Sequence, residues 1–326
     1  MELMAPSSGS KDEAADSWDR FYSSVPFHNH APPAEQHLSY YFPYKETHAH
    51  SKSIRKGWTK IRLREASSSL VSSGSTACKT WEASLRLASH LLDEEERAKL
   101  RQPGAKVLEL GSGNGLVSTL VALLQLENSS LVQSSSADVS SDVGESGPWV
   151  YATDLPSVTQ TRLRSTFVLN SETLRGASNL LGYDVDWIDV DRRLKEGDEV
   201  VQPLHLAPSL ILGADIVFDP DIYPALVTAI SYALRAGARR ITREGHEGGP
   251  EAIISSTVRN ATTYSRFLAC LDEAGLHSEE LNLQRAVSGH VDGFQGILKI
   301  MPFPSAHNEA TEGVVSGLRI CLPPAP

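Results

Sequence analysis

The chain is short of cysteine and of long apolar runs, and it has no excess of positive charge. Its 326 residues include three cysteines, Cys78, Cys270 and Cys321. They lie far apart, with no Cys-x-x-Cys pair and no metal-ligand spacing, so neither a zinc module nor a disulfide framework is expected. The eleven histidines gather mainly near the start (His28, His30, His37, His48, His50), in polar sequence with no helical ligand pattern. No metal site is expected from them. No apolar run reaches the ~18 residues of a membrane span, and no stretch has the form of a signal-peptide core. The chain therefore reads as a cytoplasmic protein with no membrane partner. A formal charge of −10 argues against a broad nucleic-acid-binding surface. The one basic stretch (Lys52, Arg55, Lys56, Lys60, Arg62, Arg64) reads as a solvated face.

What the chain does have is the run Lys106-Val107-Leu108-Glu109-Leu110-Gly111-Ser112-Gly113-Asn114-Gly115. Apolar strand residues end in an acid and three alternate glycines, and Leu116, Val117, Leu120 and Val121 follow at helical spacing. A strand that turns through glycines into a helix builds a nucleotide site at the carboxyl edge of a parallel sheet. The dinucleotide fingerprint Gly-x-Gly-x-x-Gly places its third glycine where this chain has Leu116. Here glycine falls one residue early, at Gly115. The resulting Glu-x-Gly-x-Gly-x-Gly looks like the first motif of S-adenosylmethionine-dependent methyltransferases, whose cofactor carries no phosphate.

Strand and helix patterns alternate from residue 105 onward, which favours a parallel sheet covered on both faces. Strands are predicted at 105–110, 149–153, 183–188, 209–214, 252–257, 279–285 and 294–301. Helices are predicted at about 115–125, 157–169, 222–235 and 261–274. The expected fold is α/β, a seven-stranded, mostly parallel Rossmann-like sheet over 58–303 with helices on both faces. A partly disordered N-terminal extension (1–57), a Ser-rich insertion (127–148), a polar excursion (236–250) and a C-terminal tail (304–326) with no core pattern complete it. Ahead of the glycine run, Lys60 to Arg64 alternates as a strand, and Trp81, Leu85, Ala88 and Leu92 form a helical stripe.

Further candidates follow the strand ends. Asp154, in Thr153-Asp154-Leu155-Pro156, is placed to accept ribose hydroxyls; it could also cap the next helix. Trp187, after Asp186, could cover an adenine or sit in the core. Gly213 and Ala214 leave room for a cofactor to approach. Asp215 stands where a side chain reaches a methyl acceptor, with Phe218 able to wall its channel and favour a cation; a capping carboxylate is the alternative.

Taken in order, Gly74-Ser75-Thr76…Thr80-Trp81-Glu82-Ala83, Glu109 to Gly115, Thr153 to Pro156, Asp186-Trp187, Ala214 to Phe218 and Ser256-Thr257-Val258-Arg259-Asn260 resemble the lysine methyltransferase group of seven-β-strand enzymes (methyltransferase family 16). Thr257 to Asn260 with Thr263, Phe267 and a long N-terminal extension looks most like the eukaryotic elongation factor 2 lysine methyltransferases. The likeness covers about residues 58–301. It implies a protein-lysine N-methyltransferase with S-adenosyl-L-methionine as cofactor, acting as a monomer on a protein substrate, elongation factor 2. It maps cofactor contacts to Trp81, Glu109, Gly111, Ser112, Gly113, Gly115, Asp154, Trp187 and Ala214. The acidic-x-x-aromatic motif of protein-lysine targets maps to Asp215 and Phe218, with phenylalanine where the family more often has tyrosine; Ala77 stands where it usually has glycine. Competing readings are a nicotinamide oxidoreductase, disfavoured by Leu116, a methyltransferase of nucleic acids or small molecules, and a non-catalytic binding protein.

Overall fold

Short apolar runs alternate with amphipathic stripes through the middle of the chain and become strands of one sheet. The computed structural model describes residues 35–43, 58–66, 80–132, 148–174, 179–198, 200–244, 248–283 and 314–323. A hairpin opens it, β1 (Glu35–Pro43) antiparallel to β2 (Trp58–Ala66). Then come α1 (Glu82–His90), α2 (Glu94–Leu100), β3 (Lys106–Leu110), α3 (Leu116–Val132) and β4 (Trp149–Asp154). A helical stretch follows, made of α4 (Pro156–Val158), a π-helical turn (Thr159–Leu163), α5 (Arg164–Leu169) and α6 (Ser171–Leu174). The remainder is β5 (Leu180–Asp184), α7 (Trp187–Lys195), β6 (Leu210–Ala214), α8 (Tyr223–Glu244), β7 (Glu251–Val258), α9 (Ala261–Glu273), β8 (His277–Leu281) and β9 (Val314–Cys321).

The seven-stranded sheet runs β5-β4-β3-β6-β7-β9-β8. β3 to β7 are mutually parallel, and β9 is antiparallel to both its neighbours. This is the seven-stranded, mostly parallel Rossmann-like methyltransferase sheet expected from the sequence. Strand order reverses at β3, between β4 and β6, so the carboxyl ends of β3 and β6 flank a crevice of the kind that receives ligands in such sheets.

Side chains of alternate strand residues point to opposite faces, and the two cores divide accordingly. Val107, Leu212 and Ile253 pack with the hairpin residues Tyr40, Phe42, Ile61 and Leu63 and with Leu85, Leu120 and Val121. Leu108, Ile211 and Ile254 pack on the other face with Leu226, Ile230 and Leu234 of α8 and with Phe267 and Leu271 of α9.

Several sequence boundaries are corrected. The tail reading of 304–326 fails over Val314–Cys321, which is a strand between β7 and β8, with Val315, Leu318 and Ile320 buried. Within the 1–57 extension, whose scattered aromatics are expected to pack, Glu35–Pro43 forms a strand that places Tyr40 and Phe42 in the core. α3 carries the helix six residues into the Ser-rich insertion, as far as Val132. The excursion at 236–250 is helical as far as Glu244 because its polar residues are put to use: Arg240 is buried and donates to the carbonyls of Ala207 and Gly104. The strand expected at 183–188 lies earlier, at Leu180–Asp184, and that expected at 279–285 at His277–Leu281. Residues 294–301 and the Gly74–Thr76 motif lie outside the described residues.

Candidate active site

Three glycines of the turn after β3 take left-handed backbone angles, with φ of +66° at Gly111, +55° at Gly113 and +79° at Gly115. Side chains are strained in that region, so the alternation of glycine with other residues follows from the path of the turn. A Cβ at Gly111 would stand 2.6 Å from Ile216 Cγ2 and 3.5 Å from the Trp187 ring. One at Gly115 would meet Leu163 of the π-helical turn at 2.9 Å.

The turn's polar backbone is largely engaged within the chain. Ser112 N–H donates to the Thr153 carbonyl (2.9 Å), Gly115 N–H to the Ser112 carbonyl (2.8 Å) and Gly113 N–H to Asp154 Oδ2 (2.7 Å). Beneath it, Glu109 is buried and accepts from the amide of Ser118 (3.0 Å) and from its hydroxyl. Ser118 is the third residue of α3, so a carboxylate already occupies that helix N-terminus. Burial pushes the Glu109 carboxyl up to about 7, with the Asp154 charge adding to the rise and the Ser118 and Ser112 hydroxyls opposing it.

This geometry tests which nucleotide the turn suits. A pyrophosphate needs free turn amides and an unblocked helix N-terminus. Here the amides of Ser112, Gly113 and Gly115 have protein acceptors and Glu109 stands at the helix start. S-adenosylmethionine carries no phosphate and makes no such demand, and the residues fit it on this ground. Asp154, the ribose candidate, accepts from the Gly113 and Leu155 amides through its two oxygens (2.7 and 2.8 Å), which fixes the carboxylate at the end of β4; burial raises its pKa. It does not cap α4, whose first turn has no side-chain cap. Trp187 does not end a strand, as expected from sequence, but begins α7; Asp186 caps that helix by accepting from the Ile188 amide (2.9 Å). The half-buried indole lies against Gly111.

Gly213 departs from its expected role. The space above it is filled by Ile216, whose Cδ1 would lie 2.4 Å from an added Cβ. The glycine serves packing between β6 and the loop after it. Ala214 pairs with Ser255 of β7 and is half-buried.

Asp215 has φ +54°, an uncommon angle for a side-chain-bearing residue. Its amide continues the ladder to Ser255 (2.7 Å). Its carboxylate accepts from the Thr257 amide at Oδ1 (3.0 Å) and from Arg259 at Oδ2 (2.9 Å). The Arg259 guanidinium also lies over the Trp81 ring, 5.3 Å from its centroid. Trp81, which immediately precedes α1, is thereby joined to Asp215 through Arg259. Phe218 is 46% exposed. Arg259 is the residue of this arrangement to which sequence reasoning gave no role; its signal was its place directly after β7, the strand parallel to β6. Among the described residues no cluster of His, Cys, Asp and Glu is arranged to hold a metal, and no helix is long and apolar enough to cross a membrane.

A hidden pedestal supports the turn from the hairpin side. Glu65, Thr80 and Asn114 are all buried. Glu65 Oε1 accepts from Tyr40 (2.7 Å), from Asn114 Nδ2 (3.3 Å) and from Thr80, and Asn114 also donates to Thr80 (2.7 Å).

Sheet order, glycine turn and acid-bearing strand ends together resemble a methyltransferase-type nucleoside site. The family model described as lysine methyltransferase matches residues 64–143, and the chain resembles that group, as the motifs imply. It is 25% identical over 215 residues to the protein-lysine N-methyltransferase EFM3 of Chaetomium thermophilum, covering 66% of this chain and 52% of the relative. It is 27% identical over 256 residues to the protein-lysine N-methyltransferase EEF2KMT of Bos taurus, covering 72% of this chain and 62% of the relative. The chain thus spans somewhat over half the length of the curated relatives it matches.

Proposed function

We propose that the chain is an S-adenosylmethionine-dependent protein-lysine N-methyltransferase, that its substrate is elongation factor 2, and that it acts in the cytoplasm as a monomer. One observation carries the reading. A glycine turn suited to a phosphate-free nucleoside and the Asp215 carboxylate end adjacent parallel strands, β3 and β6, at one edge of the sheet. The named relatives support the lysine acceptor and, through EEF2KMT, the elongation factor.

When bound, the cofactor supplies a sulfonium methyl: the acceptor nitrogen's lone pair forms the new N–C bond while sulfur keeps the electrons of the S–C bond that breaks. Everything else falls to the chain. Gly111, Ser112 and Gly113 line the methionine part, with Gly115 completing the turn against Leu163; Asp154 holds the ribose, and Trp187 covers the adenine. Trp81 touches the cofactor and Ala214 lines its far side, Glu109 braces the turn from beneath, Asp215 receives the amine and Phe218 walls its entrance. Alignment of the two reactants is the main source of acceleration.

The test is Asp215→Ala with radiolabelled S-adenosylmethionine and extract lacking the enzyme, followed by identification of the labelled protein. Turnover should fall at least 100-fold while cofactor affinity stays within a few-fold. Equal loss of both would move Asp215 into the cofactor site. Label in a protein other than elongation factor 2 would refute the substrate and leave the enzyme class standing.

A further inference from the structure

We propose that Arg259 is a positioning residue: by neutralising Asp215, it keeps the acceptor lysine that Asp215 receives in the uncharged form that methyl transfer requires. The proposal rests on the reading of Asp215 given above. The Asp215 side chain is only 6% exposed, whereas that of Arg259 is 45% exposed. A carboxylate has about four lone-pair sites, and the Thr257 amide and Arg259 use two of them. An amine can therefore join Asp215 without displacing the guanidinium.

The chemistry explains why the pairing matters. A lysine amine attacks only with its lone pair free, yet a free lysine holds its proton until about pH 10.4. A buried, unpaired carboxylate beside it would strengthen that hold, since an opposite charge within about 4–6 Å favours the charged form by about 1–3 pH units. Paired with Arg259, Asp215 still accepts a hydrogen bond and points the nitrogen, but the pair carries no net charge. The fixed guanidinium also disfavours a second cation nearby, the arrangement by which a neighbouring cation activates an amine nucleophile. The proton leaves the lysine for solvent before the new bond forms.

Among the described residues, four carboxylates on the adjoining elements have partners of their own. On α1, Glu82 pairs with Arg86 (2.7 Å). At the end of β4, Asp154 accepts two backbone amides, and Glu109 lies buried beneath the turn. Beyond β6, Asp219 accepts from the Asp221 amide (3.0 Å). Trp81 holds the other flank of the guanidinium, which keeps Arg259 aimed at Asp215.

The test compares wild type, Arg259→Gln and Arg259→Lys. The acceptor is the protein that the wild-type enzyme labels in extract lacking it, purified and used at saturation. Rates of methyl incorporation are measured from pH 6 to pH 10, and cofactor affinity is measured separately by calorimetry. For Arg259→Gln the acid limb of kcat, which reports the enzyme–substrate complex, should move up by about one pH unit or more. The rate near neutrality should fall at least tenfold and recover toward pH 10. Arg259→Lys should restore the wild-type limb, and all three proteins should bind the cofactor within a few-fold. A uniform loss with an unmoved limb, a gain in rate, or loss of cofactor binding would each overturn the proposal. No label with wild type would instead overturn the lysine methyltransferase reading on which it rests.

Discussion

Glu109→Gln probes the acid under the glycine turn. Glu109 is 2% exposed, and its hydrogen-bond donors, the amide and hydroxyl of Ser118, carry no charge. Burial raises its carboxyl from the ordinary 4.5 to about 7. The unfolded chain therefore loses this proton near pH 4.5, while the folded chain keeps it to about pH 7. Between those values the fold binds more protons, so its stability falls as pH rises: the contribution is intact below 4.5 and fully lost above 7. At about 1.4 kcal/mol per pH unit, the displacement corresponds to ~3 kcal/mol.

Glutamine keeps an oxygen for Ser118 but cannot ionise. Its additional NH2 needs an acceptor in a buried place, a cost that does not vary with pH and cancels in the comparison. Urea unfolding followed by tryptophan fluorescence at pH 5 and pH 8 reads the difference. From the lower to the higher pH, the variant should gain about 2–3 kcal/mol relative to wild type. A constant difference, or a variant that loses ground at pH 8, would refute the reasoning. It would mean that the N-terminus of α3 stabilises the carboxylate by more than burial penalises it.

Gly111→Ala forces a side chain into φ +66° and a Cβ to 2.6 Å from Ile216; a loss on the order of 2–4 kcal/mol is expected in thermal or urea unfolding. Glu65→Ala strands Tyr40, Thr80 and Asn114 without their shared acceptor, and unfolding free energy should drop by about 2–3 kcal/mol. Trp187→Ala removes the indole that lies against Gly111; calorimetric titration with S-adenosylmethionine should show affinity falling by about tenfold or more, the scale of one base–aromatic stack.

The central strands were legible because their apolar runs are short and buried on both faces, as in Val150 to Ala152 and Leu210 to Leu212. The glycine turn was legible because three positive φ angles demand glycine at three fixed places. β9 was not: it holds Ser316, Gly317 and Arg319, and it becomes a strand because β7 and β8 pair with it on both sides. Tertiary pairing overrides composition there. Trp187 was placed on a strand because an apolar residue between Asp186 and Ile188 fits either period; the cap at Asp186 decides for helix. The spacing from Glu109 to Ser118 suggested no contact, since the bond exists only once the turn folds α3 back over β3.

The hairpin and the glycine turn act as one unit, and the reason lies in the buried polar chemistry between them. Three neutral groups share the Glu65 carboxylate, from β1 (Tyr40), from the residue before Trp81 (Thr80) and from the turn itself (Asn114). A second buried clip ties β2 to the residue after α5, where the Asn170 amide donates to the Arg62 carbonyl and accepts from the Arg62 amide, both at 2.8 Å. That side chain reproduces the pattern of a neighbouring strand on the edge of β2. The Asn114 carbonyl is in turn fixed by Thr166 of α5 (2.6 Å). Each bond pins an element that carries or adjoins a candidate ligand contact: Thr80 precedes Trp81, Asn114 lies between Gly113 and Gly115, and α5 follows the π-helical turn that packs on Gly115. A buried, fully hydrogen-bonded network tolerates few alternative arrangements, because breaking one member leaves the others unsatisfied in a low-dielectric setting. Thr80 and Asn114 share that acceptor, and that places Trp81 and the turn in fixed relation without a covalent link between them.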